Sequence, residues 1–212
     1  MKKKHVILIA VLTAGLAFVQ AQSGGTVVQG SSLADKFAWL NAFAQSNTSY
    51  VIEVNANESI ANPRLSYSGK ENITITLRGV GANRIISGRF TVSFGVTLVL
   101  DNNITIRDGI WVNRGALIMN NGSTISGNTA SENGDGVYIE RRNGTFTKTG
   151  GTITGYASDQ RNGNTVKNSS GAVQNYRGHA VYAPGPKIRE GTAGPEVNLS
   201  YENGQASGAW DN

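Results

Sequence analysis

The phrase "GSTISG" at Gly122–Gly127 returns as "GTITG" at Gly151–Gly155, and it is one beat of a longer cycle. From residue 73 onward, short β-branched runs recur in a fixed order, each closed by Gly, Asn or Asp. The first beat, A, reads "ITITL" (73–77), "VTLVL" (96–100), "ALIM" (116–119) and "TFTK" (145–148). The second, B, reads "IIS" (85–87), "ITI" (104–106), "TIS" (124–126) and "TIT" (152–154). The third, C, reads "FTV" (90–92), "IWV" (110–112), "VYI" (137–139) and "VYA" (181–183), with "IEV" (52–54) as the expected first member. The linking turns, such as "DNN", "RDG", "NRG" and "TGG", use residues that enter positive φ at little steric cost.

Three short strands per cycle, joined by turns too tight for helices, predict a parallel β-solenoid whose coils pair at a spacing of ~4.8 Å. Alternate residues then face inward. Leu98, Leu100, Leu117, Ile125, Ile153, Val137 and Ile139 should stack into one core. The phrase repeats because each coil must offer the coil beneath it the same apolar side chains. An antiparallel sandwich is the rival, but it gives no reason for a three-beat repeat.

The start of the chain reads differently. Lys2, Lys3 and Lys4, an apolar run from Val6 to Val19 and "VQA" at Val19–Ala21 form the pattern of a signal peptide over residues 1–21. That run is too short to span a bilayer as a helix. Residues 22–30 read as a linker. Residues 31–47 read as a capping helix, with Ser32 as N-cap and Leu33, Phe37, Leu40 and Phe43 at helical spacing. The β-solenoid is expected over 48–186, and a tail or cap over 187–212. The open ends of a solenoid carry unpaired backbone groups, so the helix is expected to cover the first coil.

Nineteen basic side chains outnumber fourteen acidic ones, but three of the lysines belong to the leader. The remainder is nearly balanced and argues against a nucleic-acid partner or membrane insertion after the leader is removed. The absence of cysteine excludes disulfides and thiolate metal sites. Such an exported chain must be stable through its core alone.

The phrases "GTFTKTGGTITG", "GDGVYI" and "HAVYA" resemble the right-handed parallel β-helix repeats of bacterial exported and surface proteins, which share the pectate-lyase-like architecture. The likeness spans roughly residues 50–185 and implies an all-β, right-handed parallel β-helix with three short strands per coil. It implies little about activity, because that group has no single chemistry. Two departures stand out. Lys148 takes a position where Met is usual, and "ENGDG" replaces an all-glycine turn.

Enzymes of this architecture cleave acidic polysaccharides, and hydrolases among them need paired carboxylates on neighbouring coils. No Asp-Asp pair exists, and Asp101, Asp108 and Asp135 fall in turns. "GHA" at 178–180 and "KIR" at 187–189 resemble pectin-hydrolase motifs loosely, but His179 and Lys187 lie too close in sequence to sit on neighbouring coils. No catalytic residue, cofactor or metal is expected. Glu132 and Asp135 come nearest to a calcium site, and the plainer reading makes them a polar turn.

Two features point to binding instead. The B-to-C connections lengthen along the chain, from "RDG" (107–109) to residues 127–136 and then 155–178. Insertions at one corner of successive coils stack on one edge of a solenoid. In addition, if Ile110 and Val112 face inward, Trp111 faces outward, and by parity so do Tyr138 and Tyr182. Arg114 and Arg141 lie at the adjoining corner. Flat aromatic faces beside cations suit sugar rings, acidic ones especially. The competing expectation is that the long loop or the tail folds over this stripe. The function read from the sequence is therefore a secreted or surface, non-enzymatic binding or adhesion protein for glycans or host or cell-surface molecules. The alternatives are a polysaccharide lyase or glycoside hydrolase of the same fold, and a passive structural surface module.

Overall fold

The computed structural model describes residues 24–130, 136–140, 144–156, 159–174, 180–182 and 187–189. Strand β1 (Thr26–Val27) and helix α1 (Leu33–Phe43) come first. Coil 1 holds β2 (Ser49–Val54), β3 (Glu58–Ser59) and β4 (Arg64–Leu65). Coil 2 holds β5 (Ile73–Gly79), β6 (Arg84–Ser87) and β7 (Phe90–Val92). Coil 3 holds β8 (Val96–Leu100), β9 (Ile104–Arg107) and β10 (Ile110–Val112). Coil 4 has β11 (Ala116–Met119), β12 (Ser123–Ile125), an inserted β13 (Thr129–Ala130) and β14 (Val137–Ile139). Coil 5 has β15 (Thr145–Lys148), β16 (Thr152–Ile153), an inserted β17 (Thr165–Val166) and β18 (Val181–Tyr182), and β19 (Lys187–Arg189) follows.

The chain visits three sheets in turn. Sheet A is seven-stranded, in the order β1-β2-β5-β8-β11-β15-β19. Sheets B (β3-β6-β9-β12-β16) and C (β4-β7-β10-β14-β18) have five strands each. All pairings within them are parallel. The protein is thus an all-β structure of three parallel sheets with short strands, an arrangement consistent with a β-helix.

Register makes the core. In sheet A, Ile75, Leu98, Leu117 and Phe146 are successive partners, and so are Leu77, Leu100, Met119 and Lys148. In sheet B the column is Ile86, Ile106, Ile125 and Ile153. In sheet C it is Phe90, Ile110, Val137 and Val181, beside Leu65, Val92, Val112 and Ile139. All these apolar side chains are buried in one cluster. Each fully buried Leu or Ile contributes about 1.5–3 kcal/mol, which is why the phrase must recur in register. Lys148 occupies the inward position above Met119 and is as buried as its apolar neighbours.

The turns use left-handed backbone where the sequence supplies Asn or Gly. Asn47 and Asn72 each stand just before a sheet A strand at φ +57°, and Asn72 Nδ2 donates to Asn47 Oδ1 at 2.9 Å. Asn103 plays the same part before β9, at φ +58°.

At the first coil, the sequence expectations need correction. "IEV" (52–54) is not a C strand; it is the end of β2 in sheet A, paired with β5. The true first C strand is β4, only two residues long and preceded by Asn62 and Pro63, which explains why no β phrase marks it. The presumed linker 22–30 contains β1, which pairs with β2, and Val28 is buried. At the other end, β19 pairs with β15, so sheet A continues past residue 186.

Helix α1 begins as its sequence dictates. Asp35 N–H donates to Ser32 Oγ, and Ser32 N–H donates to Asp35 Oδ2, each at 3.1 Å, a reciprocal capping box. Leu33, Phe37 and Leu40 join the core cluster. Strand β4 pairs only with Thr91 and Val92, leaving Phe90 without a strand partner on that side. The Phe37 ring meets Phe90 edge-on there, with centroids 6.0 Å apart. Leu33 N–H also donates to Glu58 Oε2 at 2.7 Å, tying the helix to coil 1. Phe43 departs from the expected apolar face: it is 60% exposed and leans on Trp39. The helix ends at Phe43, so that residue falls in the last turn rather than over the core.

Candidate functional site

The outward column of sheet C is set by the same register as the core. It reads Arg64, Thr91, Trp111, Tyr138 and Tyr182, one residue per coil. The parity that places Ile110 and Val112 inside therefore places the three aromatic residues in one outer row. Tyr138 and Tyr182 are stacked, with ring centroids 5.4 Å apart and planes at 10°. Trp111 meets Tyr138 edge-on at 6.2 Å and 77°.

The row is not uniformly open. Trp111 and Tyr138 are half-buried, and Tyr182 is 5% exposed. Of the two expectations for this stripe, exposed or covered, Tyr182 fits the covered one and Trp111 and Tyr138 lie between. What remains open is the Trp111–Tyr138 pair. A cation that the sequence did not single out lies beside it: the Arg89 guanidinium is 5.4 Å from the Trp111 ring centroid. Arg114 instead lies over Phe94, at 5.7 Å. Arg141, Glu132, Asp135 and His179 lie outside the described residues. Asp101 and Asp108 sit on different corners, after β8 and after β9, and do not converge.

Next to this row, the C-to-A corner holds a cleft of about 680 Å³. The row and the cleft share Arg64, which both heads the outward column and lines the cleft. The corners of the first three coils are residues 66–72, 93–95 and 113–115, and Glu140 follows the C strand of the fourth. Backbone ladder bonds continue one step beyond each C strand: Ser93 N–H donates to Leu65 O, Asn113 N–H to Val92 O and Glu140 N–H to Val112 O. Ser93, Asn113 and Glu140 therefore form a polar column parallel to the aromatic one, and all three line the cleft. Lys70, also in the lining, donates through Nζ to Ala44 O at the end of α1. Burial, with a smaller contribution from Tyr50, pushes the Tyr67 hydroxyl far above its ordinary value, so this hydroxyl stays protonated.

Two details of the corner stand out. Between Ser93 and Val96 there are two residues, Phe94 and Gly95, and Gly95 takes the left-handed turn at φ +78°. In the next coil Ala116 pairs with Thr97, which sets Gly115 level with Val96 and leaves one residue fewer for the turn, and Arg114 itself takes it at φ +63°. Gly115, which follows, has no room for a side chain, since a Cβ there would stand 2.6 Å from Ser93 O. Second, two polar atoms of the cleft are buried without a hydrogen-bond partner: Ser93 Oγ and Glu140 Oε2. Trp111 Nε1, in the outer row, is in the same condition.

The lengthening B-to-C insertions do stack on each other. Thr129 and Ala130 of β13 pair in parallel with Thr165 and Val166 of β17. Asn164, fully buried, ties them to the coils by donating through Nδ2 to Ile125 O at 3.0 Å and Thr154 O at 2.8 Å.

The cleft was not foreseen. Its first wall, the corner 66–72, follows the unrecognised strand β4. One signal was readable: Phe94, a large apolar residue in a turn, is 54% exposed.

Among the described residues, no group of three or more His, Asp or Glu side chains is placed to hold a metal ion. No family model matches the chain, and neither a curated protein nor a solved structure gives a significant match.

Proposed function

We propose that this chain is an exported or cell-surface, non-enzymatic right-handed parallel β-helix of pectate-lyase-like type. In this reading the outer face of sheet C binds a glycan or another cell-surface molecule. One observation supports this most: Trp111 and Tyr138 form a half-open aromatic pair on rigid parallel strands, with Arg89 over the indole. Aromatic faces give sugar C–H surfaces a contact that needs no induced fit, and a neighbouring guanidinium adds hydrogen-bond donors. The strands that carry the pair are anchored by core columns, so ordering the site on binding costs little.

An enzyme reading has one observation in its favour, since Glu71 and Glu140 line the same cleft as Arg64. Their backbones, however, belong to the corners of coils 1 and 4. Three coil steps amount to roughly 14 Å at ~4.8 Å each, more than the about 5–10 Å that carboxylate pairs span in glycosidases.

The test is a glycan-array screen with residues 22–212, run beside Trp111→Ala. Binding to a defined subset of glycans, weakened in the variant, supports the proposal. Cleavage of an oligosaccharide above a boiled control, lost on a single substitution, would replace it with the enzyme.

A further inference from the structure

We infer that the C-to-A corner cleft binds a short stretch of acidic oligosaccharide whose sugars carry carboxylate or sulfate groups. The inference rests on the glycan-binding reading above and specifies where the acidic part of the ligand sits.

The groups that line the cleft demand two different things of an occupant. Ser93 is only 8% exposed, yet its Oγ has no partner, and Glu140 Oε2, two coils further along the column, is also buried and unpartnered. Buried polar atoms are nearly always hydrogen-bonded, and a carboxylate oxygen without a donor is costly. Glu140 Oε2 can only accept, so the occupant must bring a hydroxyl or amide donor. The serine hydroxyl can donate or accept and fits the same kind of group.

Arg64 and Arg114 demand the opposite. Both are exposed, and the one ion pair among the described residues, Arg78–Glu53, is elsewhere. Glu140 and Arg114 line one cleft but form no ion pair with each other. Arg114 moreover holds a left-handed backbone conformation that costs a non-glycine residue stability. Its side chain lies over the half-open Phe94 ring. Planar guanidinium groups without carboxylate partners, next to a flat apolar face, fit an anion attached to a ring.

The order along the column gives the ligand a length. Arg64 belongs to coil 1 and Glu140 to the end of coil 4, about three coil steps apart, or roughly 14 Å. An inorganic anion would satisfy the arginines and leave Glu140 unpaired. A neutral sugar would satisfy Glu140 and leave the arginines unpaired. An acidic oligosaccharide laid along the corner satisfies both, with anions at Arg64 and Arg114 and hydroxyls at Ser93 and Glu140.

The experiment is calorimetric titration of the mature chain with tetrasaccharides of three kinds. These are uronates (galacturonate, guluronate and glucuronate types), sulfated neutral sugars, and the same uronates after carboxyl reduction. The wild type should bind at least one acidic class about tenfold or more tightly than the neutral forms. The uronate and sulfate arms identify the anion. Arg64→Ala should weaken acidic ligands about tenfold and leave the reduced forms unchanged, whereas Glu140→Gln should weaken both, in line with the loss of a charged hydrogen bond. Equal binding of acidic and reduced sugars, or Arg64→Ala and Glu140→Gln variants that bind like wild type, overturns the subsite. If neutral sugars bind and only Trp111→Ala abolishes it, the aromatic face stands and the subsite falls. If no sugar binds, both fall. Thermal unfolding of each variant separates lost binding from lost folding.

Discussion

Tyr138 and Tyr182 lie one coil apart with their rings parallel to within 10°, and the residue before each is buried in the same inward column. One parity thus builds the core and the outer aromatic row together. The row is graded in burial, and the grade predicts different costs. Tyr182→Ala should lower stability by about 3 kcal/mol, as truncation of a packed aromatic does. Trp111→Ala, at a half-open position, should cost roughly half as much and act mainly on binding. Chemical denaturation of the two variants measures the difference.

Ile125→Asp should prevent folding, because Ile125 sits between Ile106 and Ile153 in a fully buried column. An unpaired charge there costs several kcal/mol. The neighbouring Thr124→Asp, facing outward, should fold. Equal melting temperatures for the pair would overturn the inward and outward assignment.

Arg114 offers a test with the opposite sign. Glycine relieves the left-handed strain at φ +63°, by about 1 kcal/mol, and forfeits the contact with Phe94, worth about 0.5–1 kcal/mol at an exposed site. Arg114→Gly should therefore unfold at a temperature equal to or above that of the wild type. A clear loss of stability would show that Arg114 serves the fold rather than a ligand.

The helix cap carries a pH signature. Hydrogen bonds from the Ser31 side chain first, and from Ser32 next, hold the Asp35 carboxyl below its ordinary 3.8. A carboxyl depressed on folding adds stability that is present above the unfolded value and is lost as pH falls through the folded one. The melting-temperature gap between wild type and Asp35→Ala should hold from neutral pH down to about 4 and shrink below it. A gap unchanged at lower pH would exclude the capping box as its source.

Asn164→Ala should remove the two side-chain bonds that tie the second insertion to Ile125 O and Thr154 O, while both carbonyls keep their backbone donors. The expected loss is about 1–3 kcal/mol, read from the denaturation midpoint.

Much of the fold was legible because coils 2 to 5 each need the same inward Ile, Leu or Val, so the phrase survives in the sequence. Coil 1 was not legible. Its β3 and β4 are two residues each, too short to show alternation, and "IEV" was therefore read one sheet out of place. The aromatic row followed from parity alone, at Trp111 and Tyr138 as at Tyr182. Its burial at Tyr182 did not, since what covers an outer face depends on chain far away in sequence. Which cation faces the indole was not legible for a similar reason. Arg114 looked adjacent to Trp111 along the chain, but the shorter corner turns it toward Phe94, and Arg89 from the opposite end of the strand reaches the indole.

The binding role of sheet C is tested most directly by the indole N–H resonance of Trp111, whose Nε1 is buried without a partner. The chain has three tryptophans, so the signal can be assigned by substitution. During titration with the acidic and neutral tetrasaccharides, the Trp111 indole should shift saturably while that of Trp39, on the helix, stays in place. A Trp111 resonance that remains fixed through the whole panel, or a shift confined to Trp39, would contradict a glycan-binding face on sheet C.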